Sequence, residues 1–392
     1  MIRSYSYPCL YIYFIVGILS FGIAACQSTS EKKRPKKSSS ESIDFSEVHA
    51  QYARGFRITY HSNYKLLEVL NPFQNQTDTL RYALVPRELV GKVQVPNARE
   101  IPIPVQSLIA TSTTHVALAE MLKATNIIRG MVGADYVYDS KVREKLNKGE
   151  ISSFPMGGFN KEEALNLQPD VVMISGGQAS PFDNYQVLMD SGISILVNSE
   201  WLETTPLGKA EWVKVLAALL NKEKLANKKF AVVEERYNDL KASVDTLRQK
   251  PLVITNMPYK GAWFVPGGNS FNATILKDAG ADYPWSGSHK TGGLRKDFEV
   301  VYQIGLKADV WINPGAAETK KDLLAKDSRF RDFKPFQTGE IYNNNRRMSA
   351  TGGNDFWESG VVHPERILAD LVKIFHPDML PSYKFYYYQK IK

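Results

Sequence analysis

Two stretches of the chain carry the same three short signatures in the same order, and this constrains the fold more than any other feature. The first runs Gly133-Ala134-Asp135-Tyr136, then Leu167-Gln168-Pro169-Asp170-Val171-Val172-Met173-Ile174, then Gly192-Ile193-Ser194-Ile195. The second runs Gly280-Ala281-Asp282-Tyr283, then Leu306-Lys307-Ala308-Asp309-Val310-Trp311-Ile312, then Gly339-Glu340-Ile341-Tyr342. The spacings differ between the halves by only eight residues at each step. Short apolar runs entered through Asp and left through Gly (Gly176, Gly315) read as parallel strands buried on both faces. Two α/β lobes are expected, over residues 106–205 and 251–380.

The connection between them also has a signature. Lys209 to Lys250 contains neither Gly nor Pro, and Ala226, Phe230, Val233, Tyr237, Leu240, Val244 and Leu247 recur at steps of four and three. That is a helical stripe, and 206–250 is expected to be a helical connector with a break near Asn221. The competing coiled coil needs a longer heptad run. Ahead of the lobes, strand-like alternation in 54–105 is interrupted by polar turns such as His61-Ser62-Asn63, which predicts a small β-meander within 46–105. The expected fold class is α/β, with two Rossmann-like lobes built on parallel sheets, a long inter-lobe helix and this N-terminal meander.

Residues 1–25 read as a secretory signal: Arg3, an apolar run from Leu10 to Ile23, then small residues. The run is too short for the ~20 residues that span a bilayer as a helix. It ends in Ile23-Ala24-Ala25-Cys26, which matches the lipobox of bacterial lipoproteins and makes Cys26 the expected lipidation site. The alternative is an ordinary signal with an accidental cysteine. Residues 27–42 hold almost nothing that buries, so 26–45 is expected to be a flexible, lipidated tether. Gln27 does not specify the inner or the outer membrane. Cys9 falls inside the signal, which leaves the folded part without disulfide, thiolate metal site or cysteine nucleophile.

The net charge of +8 belongs mostly to that tail. Six basic residues and one acid fall in 1–40, so 41–392 holds 43 basic and 40 acidic residues, which is no nucleic-acid footprint. There is no P-loop, no G-x-S-x-G elbow and no H-E-x-x-H. The six histidines are scattered without ligand spacing, which disfavours a metal cage and a resident cofactor. His115, in Ser112-Thr113-Thr114-His115, is a candidate to face a cleft where a strand turns into a helix; the alternative is an incidental histidine behind a Ser or Thr cap. Aromatic and cationic residues interleave with glycine in Tyr259–Gly268, Tyr283–Gly287 and Tyr342–Trp357. Large flat side chains on such loops suit a bulky conjugated or chelate ligand, and guanidinium suits carboxylates. The candidate contacts are Tyr136, Tyr259, Trp263, Trp285, Arg346, Arg347 and Trp357, with sheet capping as the alternative for the aromatics.

Residues 106–380 resemble the cobalamin and iron-siderophore class of ABC-transporter substrate-binding proteins. The resemblance is carried by Gly157-Gly158-Phe159-Asn160-Lys161-Glu162-Glu163-Ala164-Leu165 leading into Leu167-Gln168-Pro169-Asp170, by Trp263 to Asn269, and by Gly353 to Gly360 before His363-Pro364. Leu207 to Trp212 resembles that family's entry into the inter-lobe helix; the 54–105 segment departs from its minimal pattern. The resemblance implies a bilobed monomer with an open cleft and small lobe motions. It implies capture of a metal chelate (iron-siderophore, haem or cobalamin) without chemistry upon it, and delivery to an ABC permease with its ATPase. One exposed Glu on each lobe would dock on permease arginines; by position these are Glu162 and Glu358. The location implied is periplasmic or extracytoplasmic, on a membrane through the lipid. The competing functions are a lipid-anchored hydrolase and a binder of free metal ions.

Overall fold

The computed structural model describes residues 43–392 apart from 75–76, 158 and 178–181. The expected signal segment, Cys26 and all of the tether before residue 43 lie outside the described residues.

Four strands open the fold: β1 (Phe56–Tyr60), β2 (Lys65–Leu70), β3 (Thr79–Pro86) and β4 (Arg99–Ile103). β1 to β3 form the antiparallel meander, and β4 joins alongside, parallel to β3. Alternate residues Phe56, Ile58, Leu67 and Val69 are buried, as the period of two along a strand requires. Their face packs on the connector, where the Phe56 and Trp212 rings meet edge-on at 5.3 Å. Two connector-side carboxylates hold the chain that leads into β1. Glu211 accepts the backbone N–H of Gln51, Tyr52 and Ala53, and Glu203 accepts those of Arg54 and Gly55. Lys65, buried on the same face, is satisfied by Glu223, the Asn221 side chain and the Ala218 carbonyl.

The first lobe is a parallel sheet of β5 (Leu108–Ala110), β6 (Ile128–Val132), β7 (Ser152–Phe154), β8 (Val171–Ser175) and β9 (Ser194–Asn198), in the order β7-β6-β5-β8-β9. In the second lobe β10 (Val253–Thr255) is followed by a hairpin, β11 (Pro258–Tyr259) and β12 (Ala262–Pro266), which β13 (Gly293–Lys296) completes as an antiparallel sheet. The main sheet continues with β14 (Val310–Ile312), β15 (Ile341–Asn343) and the antiparallel edge strand β16 (Gln389–Lys390), in the order β10-β14-β15-β16.

The repeated Asp has the same task in both lobes. Asp170 accepts the N–H of Gln106 and Ser107 ahead of β5, and Asp309 accepts the N–H of Leu252 ahead of β10. Each carboxylate thus fixes the start of the neighbouring parallel strand. The Gly-Ala-Asp-Tyr signatures are not equivalent. Residues 133–136 turn away from the end of β6, with Gly133 at φ 68°, whereas Asp282 bridges Leu252 like an added strand.

The connector is three helices, Pro206–Glu211, Val213–Leu220 and Glu223–Asp245, with Asn221 in the left-handed region at the break. The 23-residue helix is about 35 Å long at 1.5 Å per residue. Its stripe residues Ala226, Phe230, Val233, Tyr237 and Val244 are buried, and it packs on helices Val213–Leu220 and Pro364–Phe375.

Candidate functional site: a cavity at the strand ends

In open α/β sheets, ligands bind in the crevice beyond the carboxyl ends of the strands. Here that crevice holds a cavity of about 770 Å³. Its walls come from the residues that follow β10, β14 and β15, from helix Phe271–Asp278 and from segment 354–371. Pro206 and Lys209 close it on the connector side. The volume is within the ~300–1,000 Å³ usual for small-molecule sites.

Asparagine dominates the polar lining. Asn256 and Asn313 leave β10 and β14 with φ of 63° and 55°; asparagine tolerates this left-handed conformation better than most residues. Asn256 donates to the Phe264 carbonyl at 2.8 Å, and Asn313 is hydrogen-bonded to the Tyr388 hydroxyl. Asn343 is consumed by the fold, because its amide donates to the carbonyls of Gly315 and Ala317 and accepts the N–H of Asn344. Phe271, Ile275, Leu371 and Phe356 supply the apolar walls. The formal charges on the lining are Lys209, Lys326 and Glu318. Lys209 lies 4.3 Å over the Phe271 ring; burial pushes its pKa down, while the charge of Glu200 opposes that.

The sequence-predicted contacts divide. Tyr259 and Trp357 line the cavity and are 65% and 55% exposed. Tyr136 is 56% exposed beside β6 but outside the cavity wall. Trp263 belongs to the core. It sits in β12 rather than on a loop, is 0% exposed, donates to the Thr255 carbonyl at 2.8 Å and packs against Trp311, Phe330 and Phe333. Trp285 is buried against Tyr283, away from the cavity. His115 is fully buried on helix Thr113–Met121, with no partner at either ring nitrogen among the described residues, and burial pushes its pKa down to about 3. The adjacent Ser112 caps that helix by accepting the N–H of Thr114.

The arginines are elsewhere too. Arg346 is exposed outside the cavity wall. Arg347 donates to Asp355 at 2.5 Å and lies over the Tyr386 and Tyr138 rings, so its guanidinium is already engaged.

Glu162 is exposed on helix Lys161–Leu167. Glu358, in contrast, is buried and accepts the backbone N–H groups of Tyr138 and Asp139 in the other lobe. Burial raises its pKa to about 8, against the pull of those two donors. A carboxylate sequestered this way is not free for a docking partner. The same junction needs Gly353, where a Cβ would stand 2.6 Å from the Tyr136 carbonyl oxygen.

Sequence reasoning missed the asparagines, Phe271 and Lys209. A signal for the first existed: Thr255-Asn256, Ile312-Asn313 and Tyr342-Asn343-Asn344-Asn345 each leave a β run through asparagine. Among the described residues, no three His, Cys, Asp or Glu side chains group as a metal site, and no helix is long and apolar enough to cross a membrane.

Two α/β units joined by a helical connector, with a cavity at the strand ends of the second, form the architecture of a solute-binding protein. Residues 108–346 match the periplasmic binding protein family, and the chain belongs to it. Two uncharacterized lipoproteins of Methanocaldococcus jannaschii are similar. One is 26% identical over 311 residues, with 75% of this chain and 70% of the relative covered. The other is 25% identical over 419 residues, with 97% and 99% covered. A periplasmic heme-binding protein of Pseudomonas aeruginosa shares the fold with TM-score 0.54 at 17% identity, over 74% of this chain and 98% of that one. The triscatecholate siderophore-binding protein FeuA of Bacillus subtilis does so with TM-score 0.52 at 18% identity, over 72% and 97%.

Proposed function

We propose that this protein captures a metal chelate, of the iron-siderophore, haem or cobalamin kind, and delivers it unchanged to an ABC importer. The observation that carries this reading is the 770 Å³ cavity at the strand ends, walled by aromatic, aliphatic and amide side chains. Such a lining suits binding and orienting a solute, and among the described residues that line it there is no Ser, Cys or His to pair as nucleophile and base. Cys26 is the proposed lipid attachment, holding the protein on the extracytoplasmic face of a membrane. Glu162 is the proposed contact with the permease on the first lobe.

The test is native mass spectrometry of the full-length protein isolated from its own cell, followed by titration calorimetry with the chelate recovered. A one-to-one complex that binds saturably and returns the chelate intact supports the proposal. Turnover of the bound molecule, or recovery of a bare metal ion alone, overturns it.

A further inference from the structure

The charge around the cavity is sparse, and that bears on what enters. Among the described residues that line it, only Lys209, Lys326 and Glu318 carry formal charge. Lys326 and Glu318 are exposed at the rim, and Lys209 already has Glu200 as an electrostatic partner. Arg346 lies outside the wall, and Arg347 is committed to Asp355. A polyanion moved from water into such a site would lose hydration without gaining matched cations. Recognition of carboxylate or catecholate oxygens calls instead for guanidinium or ammonium groups aimed inward.

Amides are what the cavity presents. Among the described residues, Asn272 and Asn344 line it without a protein hydrogen bond to either side chain. An amide both donates and accepts, and so matches ligand groups that do the same. Behind these amides the wall is apolar, through Ile275, Leu276, Ile367 and Leu371.

We infer that the cavity selects a ligand without net charge, one that presents amide, hydroxamate or hydroxyl groups around an apolar portion. This rests on the chelate-capture proposal and narrows it. Asn272 and Asn344 read the polar groups, and the aliphatic wall takes the rest. Lys209 contributes packing and local charge balance rather than an anion site.

Four probes separate the possibilities, each titrated by calorimetry into the detergent-solubilised full chain. Ferrichrome is an uncharged ferric trihydroxamate, and cyanocobalamin is an uncharged, amide-bearing corrinoid. Haemin carries carboxylates, and ferric enterobactin is a polyanionic triscatecholate. At least one uncharged probe is expected to bind about tenfold or more tighter than both anionic ones. Asn272→Ala and Asn344→Ala should each weaken that probe by about 3- to 10-fold, whereas Arg346→Met, outside the cavity wall, should leave it within about twofold. Asn272, partly exposed on its helix, keeps the test valid should Asn344→Ala lower the melting temperature.

Equal or tighter binding of haemin or ferric enterobactin overturns the inference and leaves chelate capture standing. Uncharged-probe affinity that survives both asparagine substitutions overturns the assignment to this cavity. Failure of all four to bind a protein that circular dichroism shows to be folded overturns the inference, which requires one uncharged probe to bind, whereas chelate capture is decided by the native mass spectrometry above.

Discussion

Glu358 accepts the backbone N–H of Tyr138 at 2.8 Å and so joins two lobes across 220 residues of sequence. Its other oxygen takes the N–H of Asp139, also at 2.8 Å. Thr351 adds a third tie by donating to the Asp135 carbonyl at 2.7 Å. The segment that carries Trp357 into the cavity wall is therefore the segment that fixes the lobes to each other.

Glu358→Ala leaves two backbone donors at that junction without their acceptor, each costing roughly 1–3 kcal/mol. A loss of about 2–5 kcal/mol in unfolding free energy is expected, measured by urea denaturation. Glu358→Gln, which retains one acceptor, should lose less. A variant as stable as wild type would show that the carboxylate does not join the lobes.

Trp263→Ala should behave as a core deletion, with a loss of roughly 3–5 kcal/mol. It removes a ring packed among Trp311, Phe330 and Phe333, together with the donor to the Thr255 carbonyl. Thermal and urea melts measure this. Affinity per folded molecule should stay within about twofold of wild type, because the ring lies outside the cavity wall.

Trp357→Ala should show the opposite pattern. The ring is 55% exposed and lines the cavity, so the melting temperature should change little. Ligand burial of a ring of this size contributes about 1–2 kcal/mol, and affinity should fall by about 5- to 30-fold. Calorimetry on wild type and variant decides.

His115 gives a pH dependence whose sign follows from its burial. Its folded pKa, about 3, lies below the ordinary 6.5, so the unfolded chain binds the extra proton. Its contribution is complete above about pH 6.5 and is lost as pH falls toward 3. Between pH 7 and pH 5 wild type should lose about 2 kcal/mol that His115→Leu does not. Parallel urea titrations at the two pH values measure the difference; equal losses in the two proteins would contradict it.

Charge reversal at Glu162, an exposed side chain, should leave folding and ligand affinity near wild type, since exposed ion pairs contribute only about 0–1 kcal/mol. Across an interface, removing one member of a hydrogen-bonded charge pair costs roughly 2–5 kcal/mol. Uptake into proteoliposomes carrying the importer should therefore collapse with Glu162→Lys. Undiminished uptake would remove Glu162 from the docking surface.

The meander strands, the repeated strands that follow Asp170 and Asp309, and the helical connector are legible because period and punctuation are local properties. Asp170 and Asp309 show how far this reached, since both repeated residues anchor neighbouring strands. The candidate site was less legible, because the same residue types serve core and cavity. Trp263 and Trp357 both sit beside a Phe and near glycines, yet one lies in an inward-facing strand and the other on a short helix at the lobe junction. Only the tertiary pairing of β12 with β13 separates them. Glu358 had the sequence context expected of a surface carboxylate, and the backbone donors that sequester it come from a segment 220 residues away.

The left-handed backbone at Asn256 and Asn313 limits how this cavity can be redesigned. Most replacements there would strain the exits of β10 and β14; glycine would relax the strain but delete the amide. Asn272 and Asn344 lie outside that region of backbone space. Altered selectivity is therefore reached most cheaply by mutating these two positions, with the strand-exit pair held constant as the scaffold of the library.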